Sequence, residues 1–183
     1  MDGTDPKATL LRYLRSQREA LLAKSEGLAE YDRRRPLVGT GTNLLGLVKH
    51  VALVQAGYLG DCFGRPFGGS EPDFDADPDA DLWVPADEPT SVVLELFARS
   101  CAHADRTLED LDLDAVGEVP WWPQDRRHPT LHRVTVHLLV DIARHAGQAD
   151  ILREQLDGAI GFTAAAPNLP DRDAASWAAH AAR

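Results

Sequence analysis

Two histidines and one aspartate stand out in this sequence by type and spacing. Asp141 and His145 lie four residues apart in the segment HLLVDIARHAGQADILRE, and His50 lies between Leu47 and Val54 in LLGLVKHVALVQ. Helical side chains four apart have Cβ atoms ~6 Å from one another, so Asp141 and His145 can converge on one ion at bond lengths of ~2 Å. With about 100° of rotation per residue, His145 points near the centre of its helix's apolar stripe and Asp141 lies on the flank. An ionised carboxylate in a helical core is costly unless paired. A divalent cation removes that cost for Asp141 and takes both imidazoles in their neutral form. Two nitrogens and one oxygen leave coordination positions open, as in catalytic rather than structural sites. An ion held this way makes a thiol or water lose its proton more readily. Zinc suits the donor set best, and nickel, iron(II) and manganese are compatible with it. The residue types alone leave plainer readings open: a core histidine bonded to a backbone carbonyl for His50, and a simple Asp–His hydrogen bond for the pair. His137 continues the Asp141 row one turn back, rotated toward the edge of the stripe. His103, His128, His132 and His180 do not join these rows.

Four amphipathic patterns must position these groups. They run from about Pro6 to Glu26, Asn43 to Phe63, Thr90 to Leu111 and Thr130 to Asp157. Asp5, Asn43 and Thr130 are placed to cap free amides, Pro6 sits at a first helical position, and Gly158 can end the last helix. The second helix shows the stripe Leu44, Leu47, Val51, Val54 and Tyr58. The spacing predicts an all-α fold, a four-helix bundle whose long connections, 28–42, 64–89 and 112–129, allow crossovers. Residues 1–183 read as a single domain, with a tail from about 162 to 183 packing Trp177 onto the bundle.

The net charge of −10 argues against a nucleic-acid partner. No apolar run approaches the ~20 residues of a membrane span, and the N-terminal MDGTDPKATL has no signal-peptide pattern. The two cysteines give no disulfide framework, so a cytoplasmic protein is expected. GTGTNLLG lacks the lysine and the preceding strand of a phosphate loop. DFDADPDAD, with five alternating aspartates from Asp73 to Asp81, lacks the glycine and glutamate of a calcium loop and reads as a solvated acidic loop. Trp121 and Trp122 either pack a long connection onto the bundle or wall the metal pocket. Cys101 reads as inert core, and Cys62 has no basic neighbour to activate it. Gly147, in mid-helix, suggests close approach of a neighbouring helix or a ligand.

Four blocks carry a resemblance: GTNLLGLVKHVALVQAGYLGDCFGRPF, PDADLWVPADEP, GEVPWWP and TVHLLVDIARHAGQADILREQLDGAIG. In this order they resemble the DinB/YfiT-like metalloprotein superfamily, and within it the actinobacterial mini-circle subgroup, over nearly the whole chain. The resemblance implies a four-helix bundle with crossovers. It also implies a metal held by a histidine on the second helix and by a histidine or acid plus a histidine, four apart, on the fourth. Matched position by position, these are His50, Asp141 and His145. Relatives include mycothiol-dependent maleylpyruvate isomerase and bacillithiol S-transferases. By that likeness the chain is expected to be a metal-dependent transferase or hydrolase with a small-molecule substrate and a low-molecular-weight thiol as cosubstrate, and to form homodimers. The sequence departs from the pattern at Asp141, where His or Glu is commoner, and at Gln148, where the nearest subgroup often has histidine. His137 is then expected to orient Asp141. A second reading stays open: a non-catalytic bundle that binds a metal or a small ligand in a stress response.

Overall fold

The computed structural model describes residues 5–69 and 72–183. Residues 1–4, from the N-terminal stretch read for a signal peptide, and residues 70–71 of the second connection lie outside the described residues. Among the described residues there are six α-helices, with one isolated antiparallel bridge, Val116–Thr130, and no strand. The helices are α1 (Pro6–Ala23), α2 (Glu30–Arg34), α3 (Leu44–Leu59), α4 (Thr90–Asp110), α5 (Leu131–Asp157) and α6 (Ala174–Ala181). None of them is long and apolar enough to cross a membrane.

The caps sit where the sequence puts them. Asp5 accepts from the Lys7 amide at 3.0 Å, Asn43 from Gly46 at 2.8 Å, and Thr130 from Arg133 at 3.3 Å. Each satisfies an amide that the first helical turn leaves free. Gly158 closes α5 in the left-handed conformation, φ 76°. Two helix ends and one added helix differ from expectation: the second long helix stops at Leu59 rather than Phe63, with a 3-10 turn over Asp61–Phe63 after Gly60. The first helix stops at Ala23 and leaves through a turn in which the Ser25 hydroxyl donates to the Leu22 carbonyl. The short α2 lies in a segment expected to be loop; at five residues it is too short to show a helical period.

The four long helices form a closed ring in which α1 packs on α5, α5 on α3, α3 on α4 and α4 on α1. Helices α1 and α3 therefore face each other across one diagonal, and α4 and α5 across the other. This explains two of the three long connections: residues 24–43 and 111–130 each join diagonal partners. The third, residues 60–89, joins the adjacent pair α3 and α4, so its length is not set by a crossing of the ring. Fully buried side chains from every member fill the centre, among them Leu14, Leu21, Leu45, Val48, Val51, Val93, Leu108, Leu138 and Ile142.

Helix α3 buries more than the single stripe expected. Leu45, Val48, Ala52, Gln55 and Leu59 are also buried, while Val54 and Tyr58 of the expected stripe are only half covered. A helix covered on most sides is apolar on most sides. Here α4, α5, α2 and the 60–89 connection all cover α3.

Gly147 does not serve the close approach expected of it. It is exposed, and a Cβ built there would meet nothing within 4 Å. With no neighbour to accommodate, the glycine only adds backbone freedom to the unfolded chain. Gly147→Ala is therefore expected to stabilise the fold by about 0.5–1 kcal/mol. In a thermal melt this corresponds to a gain of roughly 2–4 °C per kcal/mol.

Candidate metal centre

Adjacent helices α3 and α5 bring His50, Asp141 and His145 together. One ligand atom from each lies within 4.8 Å of the other two, and all three side chains are half-buried. The His50 and His145 rings meet edge-on with centroids 4.7 Å apart. His145 Nε2 stands 3.6 Å from Asp141 Oδ1, an ionic contact longer than a hydrogen bond.

Each ring's other nitrogen is already engaged. His50 Nδ1 lies 2.6 Å from Asp81 Oδ2, and His145 Nδ1 lies 2.8 Å from Gln148 Oε1. Both partners accept, so in its neutral form each ring would carry its proton on Nδ1 and keep the Nε2 lone pair free. Outer partners of this kind fix the tautomer of a metal-binding histidine and raise its basicity. Tetrahedral ligands at zinc bond lengths sit about 3.3 Å apart. Side-chain shifts of about 1 Å, within ordinary rotamer freedom, bring the three groups to that spacing. The residues present therefore fit a divalent ion with open positions.

The electrostatics agree. The neighbouring His145 ring holds the Asp141 carboxyl below the usual carboxylate range, against the opposing effect of burial. For His145 burial favours the neutral ring, but the contacts to Asp141 and Gln148 outweigh it and raise its pKa above the ordinary 6.5. A cation at the centre would take over the role that the His145 proton plays beside Asp141.

Asp81 is the group that sequence reasoning missed. It belongs to the aspartate run read as a solvated loop, yet it is 8% exposed. Of the other carboxylates of the run, Asp73, Asp75 and Asp79 are exposed and Asp77 is half-buried, and two of the four bond locally. Asp73 accepts from the amides of Asp75 and Ala76, and Asp77 from the Asp79 amide and the Trp83 indole. Even alternation disguised the one member that the apolar Leu82-Trp83 pair follows. Asking which acceptor holds the His50 ring would have pointed to it.

His137, Trp121 and Trp122 form a separate aromatic group around Tyr58. Both indole N–H groups donate to the Tyr58 hydroxyl, at 3.1 and 3.0 Å. The His137 ring lies edge-on to Tyr58 and Trp122, each at a centroid distance of 5.1 Å. Trp122 packs against the core, whereas Trp121 is exposed and lines a cleft of about 1230 Å³. Leu53, Val54 and Gly57, which continue the His50 row along α3, also line that cleft, as does Asp81. The thiols are poor candidates for chemistry. Burial pushes Cys62 up to about 12, and burial also raises Cys101.

No protein of curated function matches the chain. The family profile described as Mycothiol-S-transferase matches residues 9–158, from the first turn of α1 to the glycine that closes α5. With a helical ring of the DinB/YfiT type and a His–Asp–His cluster between two of its helices, the chain belongs to the mycothiol-S-transferase family of metal-dependent thiol transferases.

Proposed function

We propose that this chain joins the sulfur of mycothiol to a small electrophile, with His50, Asp141 and His145 holding one divalent ion, zinc by its donor set. The observation that carries this reading is the paired use of the two rings. Asp81 and Gln148 each occupy an Nδ1, which leaves each ring its Nε2, and one ligand atom from each ring and from Asp141 lie within 4.8 Å of one another.

When bound, the ion supplies Lewis acidity that lowers the pKa of a thiol brought to it, and one carboxylate against two positive charges leaves a net attraction for a thiolate. The protein's own groups do the rest. The two imidazoles hold their geometry through partners outside the ligand set, Asp81 and Gln148. The cleft along α3 offers the exposed face of Trp121 and the aromatic rings of Tyr58, Phe67, Phe74 and Trp83 as a surface for the organic part of a substrate. In the overall reaction a sulfur–carbon bond forms while the bond from that carbon to its leaving group breaks; the leaving group departs with the bonding pair, and the thiol proton passes to solvent or to that group.

Elemental analysis of protein purified without chelator, with a mycothiol-dependent assay on a chromogenic alkyl halide, tests the reading. About one zinc per chain and transfer that stops with a chelator and returns with zinc are expected. Protein that takes up neither zinc nor nickel from a buffered solution would sink it.

A further inference from the structure

The connection between α3 and α4 is lashed across the outside of α3 at three neighbouring positions. At Gly46 the Leu82 backbone carbonyl comes so close that a Cβ would collide with it. One turn on, Lys49 donates to the Trp83 carbonyl at 3.2 Å and to Glu88 Oε2 at 3.1 Å. The next residue, His50, meets Asp81. Positions 46, 49 and 50 share one face of the helix, so residues 81–88 run along that face as a strap. Lys49 is 9% exposed and Asp81 8%, so both contacts are made largely out of water. The strap is the second purpose of a connection far longer than its adjacent helices require.

We propose that Asp81 is a positioning residue for the metal centre: the strap delivers its carboxylate to His50 Nδ1, which locks the ring in the tautomer and orientation that turn Nε2 toward Asp141 and His145. This rests on the ligand set given above but goes beyond it, because it assigns a metal-site role to the acidic connection. Without Asp81 the His50 ring is free to rotate and to carry its proton on Nε2, the nitrogen that must be bare. Gly46 serves the same arrangement, since only glycine lets the Leu82 backbone lie close enough to bring Asp81 over the ring.

Two measurements test this, one of them independent of metal. In chelator-treated full-length protein in alkaline buffer, where free imidazole is neutral, long-range proton–nitrogen correlation spectra report the His50 tautomer. The wild type is expected to show the proton on Nδ1, and Asp81→Ala to show a mixture shifted toward Nε2. Asp81→Asn keeps a carbonyl acceptor and is expected to retain the wild-type tautomer. Zinc affinity, measured by competition with a chromogenic chelator, should fall roughly 10–100-fold in Asp81→Ala and less in Asp81→Asn. In a His50→Ala background the same Asp81→Ala change should cost nothing further, because the loss acts through that ring. A wild-type ring protonated on Nε2, or an equal affinity loss in both backgrounds, overturns the proposal. If the tautomer is locked as described but the wild type takes up no zinc, the ligand set fails while the strap's hold on His50 stands.

Discussion

His145→Ala is expected to purify as a folded protein that holds no zinc under conditions where the wild type is loaded, and that transfers no thiol. The loss follows from the ligand count. Structural zinc sites with a full protein ligand set bind with apparent energies of about 10–16 kcal/mol. By proportion, one ligand of a full set of four accounts for about 2.5–4 kcal/mol, on the order of a hundredfold to a thousandfold in affinity. Folding should survive because the α5 residues that fill the core, Leu138, Ile142, Ala146 and Ala149, are untouched. Alanine is also the better helix former at a mid-helix position. Asp141 loses its partner, but its side chain is 32% exposed and water can solvate it. Circular dichroism and a melt in chelator should match the wild type, while metal content and activity disappear together. A His145→Ala protein that keeps one tightly held zinc would place the ion elsewhere.

The parts of this picture legible in the sequence are those set by local periodicity. The long helices and their caps follow from apolar spacing and from Asp5, Asn43, Thr130 and Gly158. Asp141 and His145 were visible as a pair because one turn of helix fixes their separation whatever surrounds it. His50 was legible as a shoulder residue on an apolar helix. The order of helices around the ring was not, since nothing local says that α1 faces α3 across a diagonal. The contact between His50 and Asp81 spans 31 residues of chain and depends on a strap with no regular period. The second buried side of α3 escaped for the same reason: an amphipathic template looks for one stripe, and the covering strap is irregular. Gly147 was misread because close approach and open surface leave the same letter in the sequence; only its empty surroundings distinguish them.

Protons and zinc should compete at this site, so that zinc affinity rises by about tenfold per pH unit through the titration of His145 and then levels off. The direction follows from the metal-free protein. His145 holds its proton more tightly than an ordinary histidine because Asp141 and Gln148 outweigh its burial, so at pH below its raised value binding must expel that proton. Asp141 is held below the usual carboxylate range and is ionised throughout, so it contributes none. Folding stability should then respond to pH differently with and without metal. Without metal, the raised His145 pKa stabilises the fold below the unfolded value of about 6.5, and that contribution is lost as pH rises through the folded value. The lowered Asp141 pKa contributes above the unfolded carboxylate value and is lost only in acid. With zinc in fixed excess, the tenfold-per-unit gain in affinity offsets the His145 loss, so stability should stay level across the same interval. Melting temperatures measured in chelator and in zinc should therefore diverge as pH rises from the ordinary histidine value through the raised His145 value. Asp141→Asn removes the carboxylate that sustains the His145 proton, so its pH-dependent interval should move to lower pH while its plateau affinity falls. Parallel pH profiles in chelator and in zinc would mean that the ion does not displace the His145 proton, and the assignment of that ring as a ligand would fail.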